Sequence, residues 1–170
     1  IKLIKIEFNL LKAKKSLGQN FLLDKNICKK IVSLIEINNN LIIEIGPGTG
    51  QLTKEIINSN PKRLILIEKD KTLCNNLKKE FKNNNYIQII NKDALEVDFS
   101  KYKKASLISN LPYNLSIKLM FHFLKFKNVF SEIVLMLQKE VAEKIEYKLK
   151  TKNNRISFFI NTLSDYSIMF

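Results

Sequence analysis

The sequence predicts an open α/β sheet of mainly parallel strands with helices on both faces. Three observations point there. Short apolar runs alternate with helical patterns from Leu41 onward. The runs lack polar alternation, as strands buried on both faces do. Glycines, acids, an amide and a proline fall just after them, at the strand ends where open α/β sheets bind ligands.

Taken in order, Asp24 is an N-cap for a helix reaching about Ile35, with Ile27, Ile31, Leu34 and Ile35 on one face. Strands follow at Leu41–Ile45, Arg63–Ile67, Tyr86–Ile90, Ala105–Ser109 and Ile133–Leu137, each short and rich in β-branched residues or leucine. Between and after them, helices are predicted at Gln51–Ser59, Lys71–Lys82, Ser116–Phe126 and Gln138–Lys148. The asparagine clusters at 38–40 and 83–85 each precede an apolar run and read as turns. No repeat or linker divides the chain, and right-handed crossovers between parallel strands complete the expected topology.

Composition narrows the function. The chain has 170 residues, 45% of them hydrophobic, enough for one globular domain with a core. No apolar run approaches the roughly 20 residues of a membrane span, so no membrane partner is expected. Residues 1–15 are too charged for a secretory signal and, with Glu7 and no arginine, weak as an organellar transit segment. The expected location is cytoplasmic, with an organelle as the alternative, and the expected state is a monomer. Cys28 and Cys74 form no CxxC or Cys/His cluster, which disfavours zinc; no metal is expected, and a reducing compartment fits. The single histidine, His122, lies in an apolar helical stretch and reads as structural. Lys plus Arg number 29 against 16 acids, a net charge of +13. A/T-rich codons account for lysine over arginine but not for the excess over acids, and a polyanion such as RNA is the expected partner. Lys12, Lys14, Lys15, Lys148, Lys150, Lys152 and Arg155 are the candidate phosphate contacts.

The strand ends specify the ligand further. After the first comes Gly46-Pro47-Gly48-Thr49-Gly50, where glycines let the backbone turn sharply and pass close to a ligand. A dinucleotide fingerprint would need glycine at 51, which is Gln51, and no phosphate-cradling G-x-x-x-x-G-K-[ST] is present. After the second strand, Glu68 stands 20 residues past Gly48, where a carboxylate can accept both hydroxyls of a ribose; Asp70 reads as a helix cap. After the third, Asp93 can accept a hydrogen bond from an adenine amino group. This is a nucleoside site without a diphosphate, and S-adenosylmethionine (SAM) fits it better than NAD.

After the fourth strand comes Ser109-Asn110-Leu111-Pro112-Tyr113-Asn114. An exocyclic adenine amine is a poor nucleophile because its lone pair is delocalised into the ring. The Asn110 side-chain oxygen and the Leu111 carbonyl can accept its two N–H bonds and favour a pyramidal nitrogen. Pro112 offers no competing donor, and Tyr113 can stack on the base for about 1–3 kcal/mol. A base inside a duplex reaches such a pocket only when flipped out or unpaired.

These segments resemble the ribosomal RNA adenine dimethyltransferases of the small-subunit type. The matching stretches are KSLGQNFL at 15–22, EIGPGTG at 44–50, IEKD at 67–70, DAL at 93–95, NLPYN at 110–114 and MLQKEVAEKI at 136–145. The resemblance implies a SAM-binding fold in which Gln19, Asn20 and Leu22 lie over the cofactor and Gly46 and Gly48 approach it. By the same resemblance, Glu68 holds the ribose, Asp93 the adenine amine, and Asn110 touches both the methyl donor and the target amine. The implied substrate is a pair of adjacent adenines in the hairpin near the 3′ end of 16S rRNA, within a pre-ribosomal particle. The family continues beyond this point with an antiparallel strand, a second base-stacking aromatic and a small helical domain. The chain as given, 1–170, is therefore expected to be the catalytic domain alone, with an unpaired sheet edge near Ser167–Phe170. Leu111, Pro47 and the KSLGQNFL start favour this type over the macrolide-resistance branch acting on large-subunit rRNA. The intact NLPY and acidic strand ends argue against a non-catalytic RNA-binding assembly factor.

Overall fold

A computed structural model describes residues 2–7, 24–112, 114–138, 140–142 and 165–168. All described strands lie in one parallel sheet, β1 (Lys2–Glu7), β2 (Leu41–Ile45), β3 (Arg63–Glu68), β4 (Ile87–Asn91), β5 (Ala105–Asn110), β6 (Phe130–Leu137) and β7 (Asp165–Ile168), in the order β4-β3-β2-β5-β6-β1-β7. The helices are α1 (Lys25–Val32), α2 (Gln51–Asn58), α3 (Lys71–Glu80) and α4 (Ser116–Lys125), with a single 3₁₀ turn at Ala94–Glu96.

The five expected strands form with ends displaced by at most three residues, and the α/β class is as expected. Successive side chains of β2, β3, β5 and β6 enter opposite cores. Ile43, Ile65, Leu107 and Ile133 pack with Phe99, Leu119, Met120 and Phe123 on the α4 side. Ile42, Leu64, Leu66, Ile108 and Val134 pack with Cys28, Ile31, Leu52, Ile56 and Leu77 on the side of α1, α2 and α3. Burial on both faces is why these strands carry no polar alternation.

Asp24 caps α1 as expected, its Oδ1 accepting from Asn26 N–H at 2.8 Å and Ile27 N–H at 3.3 Å. The helix stops at Val32, short of Ile35, because the chain tightens into i−3 bonds, Leu34 to Ile31 and Ile35 to Val32. Ile35 stays buried regardless. His122 is structural, as expected. Its ring packs 5.9 Å from Phe99 and 5.3 Å from Phe126, and its Nε2 lies 3.3 Å from the Val97 carbonyl. Of the predicted helix at 138–148, only residues 140–142 are described as helical, with Ala142 N–H donating to the Gln138 carbonyl; 143–148 lie outside the described residues.

Two strands lie outside the five expected. The stretch Lys2–Glu7 is a strand, paired parallel with β6 on one side and β7 on the other. Its alternating charges hid it, since an interrupted apolar run does not look like a strand buried on both faces. Ser167 and Ile168 lie in β7, which pairs with β1 through Ile4 and Lys5 on one side and is the last strand of the sheet among the described residues, at the edge expected there. Met169 and Phe170 lie outside the described residues. Among the described residues no helix is long and apolar enough to cross a membrane.

Gly50 joins the site loop to α2. Its φ is +79°, and a Cβ there would sit 3.1 Å from Leu77 Cδ2 and 3.4 Å from the Phe81 ring. Left-handed strain and crowding against α3 act together at this position. Gly50→Ala should therefore destabilise the fold by about 1–3 kcal/mol. Urea denaturation followed by circular dichroism measures it, and an unchanged midpoint would contradict the packing described.

Candidate functional site

The strand order brings four carboxyl ends side by side: β4, β3, β2 and β5. From β2 the chain winds outward through β3 and β4, then crosses back to β5 on the other side. A crevice forms where the winding direction reverses. A cavity of about 410 Å³ lies there, lined by residues of all four strand ends, including Gly46, Gly48, Glu68, Asp93 and Asn110.

The loop after β2 is shaped by its glycines. Gly46 has φ +65°, and a Cβ there would meet nothing within 4 Å, so its role is backbone conformation rather than space. Its N–H donates to the Ile67 carbonyl at 2.9 Å. The loop is also held from β3. Glu68 accepts from Gly48 N–H through Oε2 at 3.2 Å and from Asp70 N–H through Oε1 at 2.8 Å. Glu68 is buried at 7% exposure, so its carboxylate stands in the cavity wall with its geometry already set. Asp70 is a helix cap, as read from the sequence, accepting from Thr72 N–H at 2.7 Å and Leu73 N–H at 2.9 Å.

Asp93 follows β4. Its Oδ1 accepts from Leu95 N–H at 3.0 Å and its Oδ2 from Lys69 Nζ at 2.8 Å. The Lys69 hydrogen bond first, and the Leu95 N–H second, hold the Asp93 carboxyl below the usual carboxylate range. Lys118 adds a weaker attraction from α4. An anionic acceptor is thus ready at this end of the cavity. Asn110 is the last residue of β5 and half-buried, opposite Met136 of β6. Leu111 is buried and donates its N–H to the Met136 carbonyl at 3.3 Å, and the Pro112 carbonyl accepts from Leu115 N–H at 3.1 Å to start the turn into α4. Leu111 and Pro112 line the same cavity.

Of the candidate residues, Gly46, Gly48, Glu68, Asp93, Asn110, Leu111 and Pro112 meet at one cavity. Gln19, Asn20, Leu22 and Tyr113 lie outside the described residues, as do Lys12, Lys14, Lys15, Lys148, Lys150, Lys152 and Arg155. Several contributors were not singled out from the sequence. Ser109 donates its buried hydroxyl to the Ile45 carbonyl at 2.7 Å, tying β5 to β2 one residue before the glycine loop. Asn91 Nδ2 donates to the carbonyls of Glu68 at 2.9 Å and Lys69 at 3.0 Å, holding the β3 end against β4. Lys69 braces Asp93. Polar residues at the carboxyl ends of the strands were the available signal for Ser109 and Asn91.

The arrangement supplies two carboxylate acceptors, a close-approach backbone and a half-buried amide around one cavity. Its size lies within the range of roughly 300–1,000 Å³ usual for small-molecule sites. Acceptors at the ends of β3 and β4, with no cluster of phosphate-binding cations on the loop, suit a nucleoside more than a dinucleotide.

Comparison with known proteins gives the family. A family model described as ribosomal RNA adenine dimethylase matches residues 10–168. Ribosomal RNA small subunit methyltransferase A of Malacoplasma penetrans is 43% identical over 170 residues, covering 97% of this chain and 61% of that protein. The protein of the same name from Pelagibacter ubique is 44% identical over 149 residues, covering 84% of this chain and 55% of that protein. The chain thus spans about 60% or less of the length of these relatives. Among solved structures, a dimethyladenosine transferase from Plasmodium falciparum superposes with a TM-score of 0.72 at 29% identity, covering 81% of this chain and 50% of that one. A methyltransferase fold and this match over nearly the whole length lead to one conclusion: the chain belongs to the ribosomal RNA adenine dimethylase family.

Proposed function

We propose that the protein binds SAM in the strand-end cavity and transfers methyl groups to the 6-amino groups of two adjacent adenines in the 3′-terminal hairpin of small-subunit rRNA, within a pre-ribosomal particle. The observation that supports this most is the convergence of Gly46, Glu68, Asp93 and Asn110 on one cavity. The names of the curated relatives support the small subunit as the source of the RNA.

In this reading Glu68 accepts the ribose hydroxyls through the lone pairs left by Gly48 and Asp70, and Asp93 accepts from the cofactor's adenine amine. When bound, SAM supplies a methyl group made electrophilic by its sulfonium. The side-chain oxygen of Asn110 and the carbonyl of Leu111 accept the two N–H bonds of the target amine. This holds the nitrogen as it turns tetrahedral and opposes its conjugation with the ring. Pro112 keeps a backbone donor away from those acceptors, and Tyr113 stacks on the extruded base. The amine becomes acidic once it carries a methyl and a positive charge, so the site needs no strong base.

Three outcomes follow. Glu68→Ala removes the ribose acceptor and frees the Gly48 N–H, and calorimetry should record a loss of about 1–3 kcal/mol of SAM affinity. Asn110→Ala should keep the fold and much of the SAM affinity but lower turnover by about 10²–10³-fold, because the amide acts on the reacting nitrogen. Incorporation of labelled methyl groups into immature small subunits measures it, and turnover near the wild-type rate would sink the mechanism. RNA affinity should fall linearly on a log–log plot against salt, and reversing Lys12, Lys14 and Lys15 together should flatten that slope. An unchanged slope would return these lysines to the solvated surface.

A further inference from the structure

Glu44 is a buried acid that the mechanism above does not use. It lies at 1% exposure near the end of β2, within the cavity lining. On β3 its register partner is Leu66, so Glu68, two residues further along, projects to the same face of the sheet on the neighbouring strand. Two buried carboxyl groups therefore share one part of the cavity wall. Their surroundings differ. Glu68 receives two backbone N–H donors, Gly48 and Asp70. Glu44 receives the Thr53 hydroxyl at 2.7 Å, and no lysine or arginine among the described residues pairs with it.

Among the described residues, the other groups packed around Glu44 offer no compensating charge. On β5 its partner is Ile108. On α2 stand Thr53 and Glu55, the latter 3.9 Å from the Lys25 ammonium. On α1 stands Cys28, whose thiol is pushed up to about 11 by burial first and by Glu55 and Glu44 after it. Burial likewise pushes the Glu44 carboxyl up to about 8, opposed by the Thr53 hydrogen bond and reinforced by Glu68. Burial without a counter-charge favours the neutral form of such an acid.

We infer that Glu44 reads the charge of the ligand: it is a neutral carboxylic acid in the ligand-free protein, gives its proton to solvent when a cationic nucleoside is seated, and so favours that ligand over an uncharged one. The inference rests on reading the cavity as a SAM site. A bound cation supplies the counter-charge that the protein withholds, and ionised Glu44 returns the attraction. Because binding releases a proton, SAM affinity rises with pH, by up to about tenfold per unit, until Glu44 is ionised before binding.

Calorimetric titration of SAM near pH 6.5, in buffers of different ionisation enthalpy, should show about one proton released per ligand bound. The uncharged analogue 5′-methylthioadenosine should release none. Glu44→Gln should abolish the release with SAM and reduce the preference for SAM over the analogue by about tenfold or more. If that variant does not fold, infrared difference spectra of the wild-type protein give the same answer: a protonated-carboxyl stretch should vanish when SAM is added. Binding heat with no proton release, a release that persists in Glu44→Gln, or an unchanged infrared band would each overturn the inference while leaving the SAM site standing. No SAM heat at all would overturn both.

Discussion

Glu68 accepts hydrogen bonds from the backbone of Gly48 and of Asp70, and the shape of the cavity depends on that pair. One carboxylate at the end of β3 holds the loop that leaves β2 and the turn that starts α3. It therefore relates two strand ends and two helix starts at once. Without it the glycine loop would keep its conformational freedom and lose its position. The same side chain faces the cavity, so the group that builds the wall is also the one proposed to hold the ribose. Structural and binding roles are coupled there, and a substitution at Glu68 tests both.

Other strand-end polar residues repeat the device on a smaller scale. Ser109 fastens β5 to β2 through the Ile45 carbonyl, and Asn91 fastens β4 to β3 through two carbonyls. Each satisfies backbone acceptors at the point where the parallel ladder ends and the next helix has not begun. Such groups are costly to leave unpaired near a buried cavity. The result is a site whose walls are hydrogen-bonded to one another before any ligand arrives, the condition that the role proposed for Asn110 requires. Glu44 completes the electrostatic picture: Glu68 receives two backbone donors and Glu44 a single hydroxyl, the difference on which the proposed response to charge rests.

The five strands on which the site is built were legible because each is buried on both faces, and that burial leaves an uninterrupted apolar run. β1 was not, since Lys2, Lys5 and Glu7 break the run. β7 was not among the strands read either, because its four residues, Asp165–Ile168, alternate polar and apolar and form no apolar run. The caps at Asp24 and Asp70 were legible because a cap is local: an acid and the N–H groups two and three residues on lie in one stretch of chain. The end of α1 was misjudged because the apolar period persists through Ile35 while the backbone changes from i−4 to i−3 bonding.

By itself the sequence determined which chemical groups stand at each strand end, because a short buried strand followed by a turn leaves little freedom over which residue comes next. Glycines at 46, 48 and 50, acids at 68 and 93 and the amide at 110 could all be read in that way. Tertiary structure alone decided how those groups partition. Glu44 and Glu68 are the same residue type at neighbouring strand ends, yet one receives two backbone donors and the other a single hydroxyl. Asp93 is anionic because Lys69, 24 positions earlier in the chain, reaches across to it. The reason is physical: the state of an acid depends on the donors, charges and water around it, and these are set by strand register and burial, which bring together residues far apart in the chain.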